Sequence, residues 1–166
     1  MFWLLACVTT PAPVVQEGPV GFPVDPAFTG RVAFEGAEVV YYELTGADDI
    51  AVFADLRAKG PRHGGAEHGA TTTWKVDWTW PDGGTCAPVT VMSTIVVTFP
   101  HWEPPADAPA HAVGNWQRYV KALAVHEQGH VDRVRGVVAQ IPGVLESAGC
   151  AGIEAKGAEA LALLDE

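Results

Sequence analysis

The chain has 166 residues, of which 48 % are hydrophobic and 18 % charged, the composition of one globular domain with a substantial core. Lys and Arg number 10 against 20 Asp and Glu, a formal charge of −10 with no basic cluster anywhere. That balance argues against nucleic acid and against anionic membrane surfaces as partners.

The first residues, MFWLLACVTTPAPVVQEGP, have the form of an export signal. Leu4-Leu5-Ala6-Cys7 resembles a bacterial lipoprotein processing site, with residues 1–6 as a short leader and Cys7 as the acylated start of the mature protein. The apolar run is about six residues with no Lys or Arg before it, less than an ordinary leader carries. A buried N-terminal strand with an incidental Cys is therefore the competing reading. No segment approaches the ~20 apolar residues that span a bilayer, so membrane contact is expected only through a lipid anchor at Cys7. Residues 7–30 carry Pro11, Pro13, Pro19, Pro23 and Pro26 and read as an extended tether. Residues 31–166 remain as the folded domain.

RVAFEGAEVVYYELTG offers one or two short strands ending at Gly46. DDIAVFADLRAKG then reads as a helix, with Asp48 and Asp49 at its positive end and Ile50, Phe53 and Leu56 at helical spacing. Gly60-Pro61 stops it, and PRHGGAEHG (Pro61 to Gly69) reads as a solvated turn or a substrate-facing loop. In TTTWKVDWTW, Trp74, Val76, Trp78 and Trp80 alternate with Lys75, Asp77 and Thr79, as in a strand covered on one face. The tryptophans are expected to pack in the core. After the turn residues Pro81 to Gly84, PVTVMSTIVVTF alternates again through Val89, Val91, Ile95, Val97 and Phe99, so the two runs predict an antiparallel hairpin. Beyond a Pro-rich loop, HWEPPADAPAH, a long helix runs to about Gln140, closed by Pro142-Gly143, and IEAKGAEALALLDE adds a short last helix. The expected class is α+β, a small antiparallel sheet packed against a long active-site helix with one or two further helices. In an exported protein Cys86 and Cys150 are candidates for one disulfide, against two separate buried thiols.

The long helix contains AVHEQGHVD, residues 124–132. Histidines at positions i and i+4 lie one turn apart and about 40° from each other, so His126 and His130 suit a single zinc ion. Glu127 lies one step round the helix, where a carboxylate serves as general acid and base. Tyr119, Leu123, Val134 and Val137 place both histidines on a mostly apolar, sheet-facing stripe. Gly129 costs about 1 kcal/mol relative to Ala in a helix, which a close approach by another backbone or a substrate would explain. Asp132 is about 240° round from His126 and is expected to pair with Arg135 instead. A third zinc ligand is required; Glu146, Glu154, Glu159, His68, His101 and His111 are the candidates, and spacing does not choose among them.

YYELTG, TTTWKVDWTW before a Gly-Gly-x-Cys turn at Cys86, TFPHWEPP, NWQRYVKALAVHEQGHVD and the later Cys150 occur in an order that resembles the DUF922 family of bacterial secreted or lipoprotein-type zinc-dependent proteases. The similarity covers roughly residues 38–166. It implies a zincin-like, exported domain with His126 and His130 as ligands, Glu127 as acid and base, and a Cys86–Cys150 disulfide. The family pattern continues past the last helix with a polar, histidine-bearing segment that would be a further source of the third ligand, whereas the sequence here ends at Glu166, a departure from that pattern. The expected function is a Zn2+-dependent metallopeptidase acting on peptide or protein substrates of the cell envelope. Its location would be periplasmic, in the outer membrane as a lipoprotein, or extracellular. Two alternatives stand beside it, a non-catalytic zinc-binding lipoprotein module that binds a partner and an amidase of cell-wall peptides.

Overall fold

The computed structural model describes residues 31–81 and 86–164. The expected leader, the tether with Cys7, and turn residues 82–84 lie outside the described residues. In chain order the elements are β1 (Glu38–Leu44), α1 (Asp49–Lys59), β2 (Arg62–His63), β3 (Ala66–Glu67), β4 (Thr71–Thr79), β5 (Thr90–Trp102), α2 (Ala110–Val138) and α3 (Ile141–Ala162). The fold is α+β, as expected. No single described helix is long and apolar enough to cross a membrane.

The 13-residue β5 is the spine of the main sheet, whose order is β1-β5-β4. Its first part pairs antiparallel with β4, from Thr79↔Thr90 to Thr71↔Thr98, which is the predicted hairpin. Its last part pairs with β1 in parallel, from Glu38↔Val96 to Leu44↔Trp102. The sheet is therefore mixed rather than antiparallel. A parallel pair needs a long crossover, and α1 with the small β2–β3 hairpin supplies it. Alternation along β5 buries Ile95, Val97 and Phe99 at 4 %, 0 % and 0 % exposure, the floor on which α2 rests.

The Asp48 carboxylate caps α1 by accepting from the Ala51 N–H at 2.8 Å, and the Gly60 N–H closes it on the Leu56 carbonyl. Its buried residues are Val52 and Leu56, with Phe53 partly covered; Ile50, expected on this face, points to solvent. The cap fixes the register of the first turn, and by 100° per residue Ile50 has drifted off the face that Leu56 occupies. Phe53 meets Trp116 and Tyr119 edge-on, joining α1 to α2. Residues 62–67 form a two-residue hairpin around Gly64 and Gly65 rather than an unstructured turn.

A second apolar core of Val76, Val89, Ile141, Leu145, Ile153 and Ala160 lies under α3. Trp74 and Trp78 pack against it, as expected, whereas Trp80 follows the end of β4 and is partly exposed. Pro142 and Gly143 do not close α2; they stand in the first turn of α3, where a proline lacking its N–H is tolerated. The last helix accordingly starts earlier than the sequence suggested. It bends at Gly149, whose φ of 63° and ψ of 174° leave helical space in a conformation that glycine adopts readily. Next to the bend, Cys150 is bonded to Cys86 with Cα atoms 5.3 Å apart. The disulfide thus ties α3 to the β4–β5 hairpin.

Candidate functional site

The inward seam of α2 runs Ala112, Trp116, Val120, Leu123, Glu127, Val131 and Val134. These positions recur at intervals of three and four, as a helix with one buried stripe requires. The expectation that His126 and His130 lie on that stripe is corrected: the one polar residue on it is Glu127, 1 % exposed. His126 is exposed and His130 half-buried, both on the flank of the seam. The apolar pattern was right, but its phase was set one position away by Trp116 and Val120.

The two imidazoles nevertheless converge. Their Nε2 atoms are 3.3 Å apart, with ring planes at 77°. Two nitrogens each about 2.0–2.1 Å from one tetrahedral ion stand about 3.3 Å from each other, so the pair fits zinc as two of its ligands. Without an ion, the same distance suits a hydrogen bond between neutral rings of opposite tautomer. Loss of hydration lowers the pKa of His126. His130 is lowered by loss of hydration first, then by the charges of His126 and Arg133. Neutral imidazole is the form that binds metal.

Glu127 turns toward the sheet. Thr72 of β4 donates to its Oε2 at 2.7 Å. Burial raises the Glu127 pKa above the carboxylate range, while the Thr72 hydrogen bond and nearby His68 pull it back in part. Tyr119 lies in the same layer; burial first, and then the charge of Glu127, push its phenol up to about 12. Tyr42 donates to the Gly69 carbonyl at 2.6 Å. Thr72, His68 and Tyr119 therefore act on the carboxylate, and Tyr42 in turn neighbours Tyr119. Thr72, Tyr119 and Tyr42 were not singled out from sequence for this role. Thr72 was detectable, being a hydroxyl in the same register as core-facing Trp74, Val76 and Trp78.

A cavity of about 10 Å³ is lined by Thr72, Trp74, His130, Arg133, Val134 and Leu164, about the space that one water occupies. An open groove of about 560 Å³ occupies the other flank of α2, between residues 31–34 and Ala124, Val125, Gln128, Gly129 and Asp132. Neither histidine lines it. A Cβ at Gly129 meets no described atom within 4 Å, so no close backbone approach accounts for that glycine. The expected Asp132–Arg135 pair is also corrected: Gln128 donates to Asp132, and Arg135 reaches Glu35.

Of the six candidates for a third ligand, His68 is buried and acts electrostatically on Glu127. Glu146 accepts from the Val89 N–H at 2.8 Å. Glu159 pairs with Lys156, and Glu154 is exposed on α3. His101 is bonded through Nδ1 to Glu43 at 2.6 Å, and exposed His111 is 3.9 Å from Asp49. Among the described residues no three His, Cys, Asp or Glu side chains form a group able to hold a metal. The described donor set is thus His126 with His130.

No curated protein and no solved structure matches the chain. A family model does match over residues 39–166, including every element from β1 onward and the His126–His130 pair. The chain therefore belongs to the DUF922 family, described as a bacterial protein of unknown function.

Proposed function

We propose that the protein is a zinc-dependent hydrolase of the bacterial cell envelope that acts on peptide bonds. The observation that carries this reading is the 3.3 Å approach of the His126 and His130 Nε2 atoms, with Glu127 adjacent in the chain. When bound, zinc supplies a Lewis acid that polarises a carbonyl and acidifies water. His126 and His130 would hold the ion as neutral imidazoles and leave its charge undiminished. Glu127 accepts the proton of the attacking water and delivers it to the leaving nitrogen. Its raised pKa favours keeping that proton between the two transfers. Export is supported by the form of residues 1–7 and by the Cys86–Cys150 bond, which suits an oxidising compartment.

A second reading, a zinc-binding module without catalysis that docks a partner, is favoured by one observation. The Glu127 carboxylate is buried and bonded to Thr72 rather than open to solvent. An amidase of cell-wall peptides would use the same residues as the first reading.

The deciding experiment is metal analysis by mass spectrometry on protein purified without a His tag, followed by incubation of the zinc-loaded protein with a tryptic peptide pool. The hydrolase reading expects about one zinc per chain, lost in His126→Ala, and cleavage abolished in Glu127→Gln. Zinc bound with no peptide cleaved would favour the second reading.

A further inference from the structure

We propose that Thr72, which lines a water-sized space together with His130, is the positioning residue of the Glu127 carboxylate. The inference rests on the hydrolase reading above and names what makes Glu127 a placed base rather than a loose one.

Thr72 belongs to the core-facing series of β4, where the next members are Trp74, Val76 and Trp78. A hydroxyl there has to find a partner, because a buried polar group without one is costly. Its neighbour Thr73, exposed on the opposite face, donates within the sheet to the Val96 carbonyl at 3.3 Å. Thr72 instead reaches across 55 positions of sequence to Glu127 on α2. The bond is short at 2.7 Å, as expected of a hydroxyl donating to an ionised carboxylate.

Two properties suit Thr72 to hold a carboxylate in place. Its β-branched side chain is stiff at χ1, so the hydroxyl direction is set by the strand. It also has a single proton to donate, which engages Oε2 and leaves Oε1 outside the bond. Glu127 itself has three rotatable side-chain bonds and sits on a helix whose seam is otherwise apolar. The Thr72 bond ties this carboxylate to β4 and so sets its orientation. Thr72 and His130 moreover line the same small cavity. The residue that holds the base therefore forms a wall of the space shared with a metal-ligand candidate.

The test uses the full chain as wild type, Thr72→Val, Thr72→Ser and Glu127→Gln, loaded with zinc and given the peptide that the wild type cleaves fastest from a tryptic pool. Thr72→Val is expected to keep its zinc and a KM within about twofold, while kcat falls roughly 10- to 100-fold, the effect of a misplaced reacting group. Thr72→Ser, which restores the donor, is expected to recover most of kcat. In the metal-free protein, a double-mutant cycle of Thr72→Val with Glu127→Leu, which removes the acceptor, should show coupling of roughly tenfold or more in the unfolding equilibrium, the effect of a hydrogen bond to a charged group.

Wild-type kcat in Thr72→Val, or no coupling in the cycle, would overturn the inference and leave the hydrolase reading standing. A loss of kcat that serine does not rescue, accompanied by loss of zinc, would assign Thr72 a structural role and overturn it as well. No cleavage by the wild type, or a Glu127→Gln protein as active as wild type, would overturn the hydrolase reading and this inference with it.

Discussion

Gly69 packs so closely on the Tyr119 phenol that a β-carbon at position 69 would clash with its hydroxyl oxygen. The contact joins the segment leading into β4 to the flank of α2 that carries His126. It also excludes water from the Tyr119 hydroxyl, which is buried and makes no hydrogen bond among the described residues. Gly69→Ala is expected to lower stability by about 1–3 kcal/mol, the usual effect of overpacking. Tyr119→Phe alone should be close to neutral or stabilising, because the oxygen removed has no such bond to lose. Combined, the two should be better tolerated than their sum, since the phenylalanine removes the atom that the new methyl meets. Urea denaturation of the four proteins measures this; strict additivity would show that the clash is relieved elsewhere.

Acid should destabilise the metal-free protein through His126 and His130. Both have pKa values below the ordinary imidazole range when folded. Between a depressed folded value and the unfolded value of about 6.5, the unfolded chain binds more protons, so stability rises with pH across that window. The contribution is complete above about pH 6.5 and is lost as pH falls through the unfolded value toward the folded ones. Glu127, shifted upward, contributes with the opposite sign from its unfolded pKa upward. The pair is therefore isolated by subtracting the profile of His126→Gln/His130→Gln from that of the wild type. Urea midpoints between pH 5 and 8 should diverge toward acid, with the double variant flatter. Parallel profiles would mean that the imidazoles carry no shift.

How much of this was legible in the sequence depends on the range of the interaction. Asp48, Gly60 and the alternation in β4 and β5 act locally, and α1 and the hairpin follow from them. The helix bearing His126 and His130 was equally plain, and so was their spacing, which depends only on helical geometry. What failed was the phase of that helix. Tyr119, Leu123, Val134 and Val137 are compatible with more than one seam, and only packing of Trp116 on Trp102 and Phe53 selects the one that buries Glu127. The parallel pairing of β1 with β5 and the Thr72–Glu127 bond are likewise long-range, separated by 58 and 55 positions. Strand alternation does not reveal such partners, although a threonine in a tryptophan register hints that one exists.

Gly129 offers a test of the corrected helix. Because a Cβ there would enter open space among the described residues, Gly129→Ala should stabilise the protein by about 0.5–1 kcal/mol through helix propensity alone. The zinc binding proposed for His126 and His130 should be unchanged, since Gly129 lines the groove on the flank away from the histidines. A destabilised variant in thermal melting would reveal a group packed against Gly129 and restore the close-approach explanation.

Breaking the Cys86–Cys150 bond should separate the two cores. The bond closes a loop with a sequence separation of 64, for which chain entropy gives about 4 kcal/mol of stabilisation, and measured values usually run 2–5 kcal/mol. What it secures is local: Cys86 belongs to the apolar core under α3 with Ile141, Leu145 and Ile153, whereas Glu127 lies over the main sheet among Leu123, Val131 and Thr72. In Cys86→Ser/Cys150→Ser, amide exchange should therefore accelerate first in α3 and in the facing part of β4. The α2 amides around His126 to Val131 should remain protected under mild conditions, and the zinc uptake proposed for that segment should persist. Equal loss of protection in α2 and α3 would show instead that the two cores open as one cooperative unit. The approach of His126 to His130 would then depend on the Cys86–Cys150 bond.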